Sequence, residues 1–214
     1  MKALLKHRTL FEVAGYIAGV VLVAFGIAAM VMGFNGRSTV STSLTQEQIV
    51  GTPDMTPSAI AAEAKQAGLP ASISLPTCSV AGQAVTNGAR ARCFAQYMRI
   101  HALEATGGLT YAQMPRYASA DGKGTNDPKQ AVTQNGQPVD NPARDVWINE
   151  TALATALNTS YMAERLSIFG IVVGIALLLS GIGFLVLAAT ALHRRKPEVE
   201  EATSVGAASG APTS

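Results

Sequence analysis

The chain is short of charge. Of its 214 residues only 14 % are Asp, Glu, Lys or Arg, and the formal net charge is +2; an average soluble domain carries roughly 25 %. So little charge of either sign excludes a disordered polyampholyte and a basic nucleic-acid binder. Aromatics are scarce as well, at 6 % with a single tryptophan, and there are two cysteines and three histidines. Neither a Cys-x-x-Cys pair nor a Gly-x-Ser-x-Gly elbow occurs, and both Gly-x-x-x-x-Gly-Lys-Ser/Thr and Gly-x-Gly-x-x-Gly are missing. Their absence removes the sequence signals of thioredoxin-like, α/β-hydrolase, P-loop and dinucleotide chemistry.

What is abundant is apolar sequence, 48 % of the chain, gathered into two blocks. Val13–Phe34 has no charge over 22 residues, about 33 Å as a helix against a ~30 Å hydrocarbon core. Leu166–Leu192 has none over 27 residues, about 40 Å, long enough to tilt or protrude. The first block is too long for the h-region of a cleaved signal peptide and no small-x-small site follows it, so an uncleaved signal-anchor is expected. Lys2, Lys6 and Arg8 precede the first block, and Arg194, Arg195 and Lys196 follow the second. The positive-inside rule then places both termini in the cytoplasm and residues 35–165 outside. Gly36–Arg165 holds ten Lys/Arg and ten Asp/Glu, so the outer segment has no net attraction for a polyanion.

The expected organisation is therefore a cytoplasmic N-terminus (1–12), a first transmembrane helix (13–34), an extracytoplasmic helical domain (35–165), a second transmembrane helix (166–192) and a disordered cytoplasmic tail (193–214). The tail is small, polar and low in complexity from Pro197 on, a composition that cannot bury enough apolar area to fold. Outside, Ser38–Ser43 reads as a linker, and Thr45 with Gln48 as the cap of a single helical turn. Thr56-Pro57 opens a short helix that Gly68 closes. Asn87–Thr106 is an amphipathic helix with Cys93, Phe94, Tyr97, Met98, Ile100, His101 and Ala105 on one face and Arg92, Gln96 and Arg99 opposite. Residues 118–142, rich in Gly, Asn, Asp and Pro, read as a long surface loop. A helix restarts near Asn141-Pro142 or Asn149 and runs on without a breaker into the second span.

Cys78 and Cys93 both fall outside, where an even count in an oxidising compartment favours a disulfide. Closing that loop gains about 3 kcal/mol in the chain-entropy model. His101 is the one outer histidine, with Glu104 one turn on; His7 and His193 flank the spans on the inner side. His101 and Glu104 are the candidates for acid/base chemistry, set against a half-buried histidine satisfied by Tyr97 or Glu104. No metal site and no cofactor is expected. Asp121–Asp127 lacks the ligand spacing of a calcium loop and reads as turn chemistry. Arg90, Arg92 and Arg99 form the one basic cluster, read as a solvated helix face. Asn149 and Asn158 sit in glycosylation patterns that matter only in a eukaryotic secretory pathway.

Small residues recur every seven positions in both spans: Gly19, Gly26 and Gly33 in the first, Ser167, Gly174, Gly181 and Ala188 in the second. That period is the seam of a close, left-handed helix pair. In an antiparallel register Gly33 meets Ser167, Gly26 meets Gly174 and Gly19 meets Gly181, with Glu12 opposite Ala188. The stripe continues as Ser160, Leu153 and Val146. The sequence leaves open whether the seam closes within one chain or between two.

Three segments carry a resemblance: LTQEQIVGTPDMTP (Leu44–Pro57), RCFAQYMRIHALEATGGLTYAQMPRY (Arg92–Tyr117) and ETALATALNTSYMAERLSIFGIVVGIALLLSG (Glu150–Gly181). They are similar to a group of actinobacterial two-span membrane proteins of unestablished function, some of which carry the name aromatic ring-opening dioxygenase. The resemblance covers most of the chain, least at the termini and in Ala120–Pro142. It implies the two-span topology and a bacterial envelope location, and it transfers no catalytic residue. Extradiol ring opening holds Fe(II) with two histidines and a carboxylate, and only one histidine lies outside.

The expectation is thus a mainly α protein: a two-helix transmembrane hairpin carrying a small, disulfide-stapled extracytoplasmic domain. Its expected role is that of a non-enzymatic interaction or accessory subunit of the cell envelope. The partners are the lipid bilayer together with another membrane or envelope protein or a second copy, and no nucleic acid. The alternative is a membrane-anchored enzyme using His101 and Glu104. An oligomeric pore is disfavoured because the spans hold no charged or amide residue to line water.

Overall fold

The computed structural model describes residues 2–193, with side chains described over 13–190. The tail from Arg194 on, including the expected disordered segment and the Arg194–Lys196 flank, lies outside the described residues, as do the side chains of Lys2, Lys6, His7, Arg8, Glu12 and His193. The fold is mainly α, with four helices among the described residues: α1 (Lys2–Gln46), α2 (Pro57–Gln66), α3 (Gly88–Ala105) and α4 (Pro142–His193). Contacts divide the chain into two units, one made of residues 1–35 and 167–214, the other of residues 36–166.

In the first unit, two helices long and apolar enough to cross a membrane pack together. A methyl group added at Gly26 would lie 2.8 Å from the Gly174 carbonyl oxygen, and one at Gly174 would lie 2.7 Å from that of Gly26. The same reciprocity holds for Gly19 and Gly181, at 2.9 and 2.8 Å, and one at Gly33 would lie 2.6 Å from the Ser167 carbonyl. These separations are below any real Cβ contact, so each position admits only glycine without backbone movement. The pairing closes within one chain. Gly170 and Gly183 are looser, the first 3.6 Å from Ala29 and the second open. At the far end Ala188 is buried, and a methyl group added at Gly15 would lie 3.9 Å from its Cβ.

The second unit is built around α3. Asn87 caps it by accepting a hydrogen bond from Arg90 N at 2.9 Å, and Thr106 with Gly107 at φ +63° ends it. The expected apolar face is buried at Cys93, Phe94, Tyr97 and Ile100, and Met98 packs partly buried against the core. Burial also extends to Ala91, Ala95, Ala102 and Leu103, while Ala105 is exposed. The helix is therefore covered on more sides than its amphipathic pattern implies; alanines are small enough to lie under neighbours without an apolar signal. Leu44, Met55, Ile60, Val80, Val85, Met114, Trp147 and Leu157 complete this core.

Several local expectations are corrected. Ser38–Ser43 is not a linker but the continuation of α1, which runs on to Gln46. No proline intervenes, and Val40 and Leu44 bury against the core, so tertiary packing outweighs the weak helix propensity of the Ser/Thr run. Thr45 does not cap a new turn: its hydroxyl donates to the Ser41 carbonyl at 2.7 Å, and the helix ends where Gln48 takes φ 54°. The chain then runs beside residues 80–85, with Val85 N donating to Ile49 O at 2.9 Å and Gly51 N to Gln83 O at 3.0 Å. α2 has its cap at Thr56, which accepts from Ala59 N at 3.2 Å, and proline at its start.

Residues 118–142 are not structureless. They hold a small hairpin, β1 (Thr133–Gln134) and β2 (Gln137–Pro138), turned by Asn135-Gly136 at φ 52° and 77°. Asn-Gly with both φ positive is the turn that matches strand twist. Around Asp121 the reading as turn chemistry fits the bonding: its carboxylate accepts from Ser119 Oγ and from Lys123 N, and Asp127 accepts from Lys129 N at 2.9 Å.

α4 opens at Pro142, where Asn141 Oδ1 accepts from Ala143 N at 3.1 Å. The seven-residue stripe does not extend to Val146, which is 40 % exposed; Trp147, Glu150 and Leu157 are buried instead. A straight helix drifts by about 20° per heptad, so over the four heptads back from Gly174 the buried stripe moves to neighbouring positions.

Candidate functional site

Two staples fix α3 to the segment before it. Cys78 and Cys93 form a disulfide with their Cα atoms 6.1 Å apart. One turn on, the Tyr97 hydroxyl donates to the Cys78 carbonyl at 2.6 Å. Tyr97 is fully buried, and burial pushes its phenol up from the ordinary value of 10.0. Cys78 and Cys93 thus serve structure. Tyr97 is committed to this bond and is not a partner of His101.

His101 sits on α3 with its side chain 29 % exposed. Its Nε2 lies 3.2 Å from Asp54 Oδ2, and its Nδ1 lies 3.4 Å from Glu104 Oε2 and 3.9 Å from Glu63 Oε2. Asp54 comes from the segment between α1 and α2, Glu63 from α2 and Glu104 from α3. The structure therefore brings His101 and Glu104 together, as their spacing implies, and adds two carboxylates that spacing does not reveal. A hydrogen bond from the Thr52 side chain, backed by a backbone bond and the His101 charge, holds Asp54 below its ordinary 3.8, against burial acting the other way. The second Glu104 oxygen, Oε1, is buried and has no hydrogen-bond partner among the described residues. With one imidazole, the cluster does not supply the two-histidine, one-carboxylate set of a ring-opening iron site.

The three arginines expected as one basic cluster separate. Arg90 donates to the Ala84 carbonyl at 3.1 Å, Arg92 lies 4.8 Å over the Tyr161 ring and Arg99 lies 5.0 Å over Trp147. A second guanidinium, Arg165, lies 5.0 Å from Tyr161 on its own helix. Its hydrogen bond, then its charge and that of Arg92, hold the Tyr161 phenol below 10.0. Glu164, one residue earlier, accepts from Gly88 N at 2.9 Å, at the positive end of α3. A Cβ at Gly88 would lie 2.7 Å from the Tyr161 Cα, so α3 and α4 touch backbone to backbone there. Nothing in the sequence marks Gly88 for this role, because its partners lie in a distant helix.

These features define a mainly α chain with one pair of membrane-length apolar helices, one stapled helical unit and one histidine–carboxylate cluster. No protein-family model matches the chain, and neither a curated protein nor a solved structure matches it.

Proposed function

We propose that the protein is an integral component of a bacterial plasma membrane, with both termini cytoplasmic and residues 35–165 outside, and that it acts as a non-enzymatic accessory or interaction subunit. The observation that carries this reading is the distribution of apolar surface on the helix pair. The glycine positions are covered, while large side chains on the other faces are bare: Phe25 is 66 % exposed, Met32 75 %, Phe169 65 % and Leu187 67 %. Apolar surface of that extent needs a hydrocarbon solvent or an apolar partner. The flanking charges supply the orientation, and the resemblance to two-span actinobacterial proteins supports the envelope location.

Cysteines introduced singly at positions 3, 125 and 210 test the topology. In intact cells a membrane-impermeant thiol reagent labels position 125 and leaves 3 and 210 unlabelled until the membrane is opened; labelling of either terminus in intact cells overturns the reading. The accessory role is tested by His101→Gln, which at normal abundance leaves the cellular phenotype of the protein intact. Loss of that phenotype with unchanged abundance favours the second reading, a membrane-anchored enzyme. That reading rests on the contact between His101 and the carboxylates of Asp54 and Glu104.

A further inference from the structure

We infer that Asp54, Glu63 and His101 form a binding site for a single divalent transition-metal ion of the zinc class, with Glu104 as the residue that orients the imidazole. One ligand atom from each of the first three lies within 4.8 Å of the others. Bound zinc stands about 2.0–2.2 Å from imidazole nitrogen and carboxylate oxygen. The three side chains are between 29 % and 36 % exposed, and that partial exposure gives them freedom to turn towards a common ion. One nitrogen and two carboxylate oxygens form a borderline donor set, which suits zinc and its neighbours better than calcium or magnesium. The partial exposure leaves room for water in the remaining coordination positions.

Two further observations separate this cluster from an ordinary acidic surface. The first is its charge. Among the described residues none of the three carboxylates pairs with a lysine or arginine. The imidazole is their one basic neighbour, so the group is left with an excess of negative charge that a divalent ion offsets. The second is the buried, partnerless Oε1 of Glu104. A carboxylate oxygen removed from water without a partner is costly, and its other oxygen already faces His101 Nδ1. A carboxylate set against the ring nitrogen that does not bind metal is the usual way a ligating histidine is held in one tautomer. Here the ion takes Nε2, where Asp54 stands, and Glu104 at Nδ1 receives the proton of the other nitrogen. The ion would tie the segment after α1 to both α2 and α3, on elements that the disulfide does not join to one another. The site is independent of the proposed topology.

The test is calorimetric titration of zinc chloride into full-length, detergent-solubilised, chelator-treated protein carrying His7→Gln and His193→Gln, which remove the other histidines. We expect one ion per chain. His101→Gln and Asp54→Asn should each weaken binding by about tenfold or more, and Glu104→Gln by about tenfold. Retention of the Cys78–Cys93 disulfide and of helical circular dichroism shows which variants fold. Should His101→Gln fail to fold, cobalt(II) replaces zinc in the protein with Asp54, Glu63, His101 and Glu104 intact, where a nitrogen-containing visible spectrum that Glu63→Gln abolishes supports the site. No binding at millimolar zinc, an affinity unchanged in His101→Gln and Asp54→Asn, or a cobalt spectrum indifferent to Glu63→Gln overturns it.

Discussion

The two units of this chain hold together by opposite means. Residues 13–34 and 167–190 have no disulfide and few polar groups, and their cohesion is close approach: glycine against carbonyl at three successive levels. Residues 36–166 use everything the other unit lacks, namely a disulfide, a buried tyrosine hydroxyl bonded to a carbonyl, side-chain helix caps and guanidinium–ring contacts. On the membrane reading proposed above, the comparison shows what each surrounding allows. Where apolar surface gains nothing by leaving its neighbours, small residues and dispersion must supply the contact. Where water is present, a core of modest size is reinforced by covalent and directional bonds.

The contrast is broken most severely at the glycine levels. Gly26→Ile places a branched side chain against the Gly174 carbonyl and the Leu178 backbone, an overpacking cost of about 3 kcal/mol or more. With both native cysteines replaced, cysteines at 15 and 188, where a Cβ at position 15 would lie 3.9 Å from that of Ala188, a separation a disulfide accepts, should cross-link in membranes and lose that yield in Gly26→Ile, while Gly183→Ile, which meets nothing, keeps it.

The other side of the comparison is sharpened by Cys93→Ser. It should lower the stability of the helical unit by about 3 kcal/mol, read by denaturant titration of tryptophan fluorescence, since Trp147 is the one tryptophan and belongs to that core. Tyr97→Phe removes the hydroxyl bond to Cys78 and leaves that carbonyl unpaired, a loss of about 1 kcal/mol by the same titration.

The smallest effect is a pH dependence. Tyr97 has its pKa raised by burial, so its contribution to stability is complete below pH 10 and is lost as pH rises through the folded value. Tyr161 is displaced the other way by Arg165. In an ultraviolet titration of the native protein, Tyr161→Phe should delete an early-ionising phenol and Tyr97→Phe a late one. The Tyr97→Phe variant should also lose stability less steeply above pH 10.

The features legible in the sequence are those carried by short spacing. The apolar blocks, the seven-residue recurrence of glycine, the cap-to-glycine frame of α2 and α3 and the single possible cysteine pair all lie within a few turns of one another. Asn135-Gly136 carried an equally local signal, overshadowed by the polar composition around it. The Ser/Thr run misleads because its residues are indifferent helix formers whose state is decided by Val40 and Leu44 beneath them. Asp54 and Glu63 were not legible as neighbours of His101. They reach it from two other elements, and no periodicity connects a loop residue, a residue of α2 and a residue of α3.

The glycine levels also constrain how the gene can change. Removing one residue from α1 between Gly19 and Gly33 would turn all that follows by about 100° and carry the next glycine off the line of its counterpart. Length variation between relatives should therefore be absent from that interval and from 167–181, or arrive in whole heptads, and collect instead around the hairpin of residues 133–138.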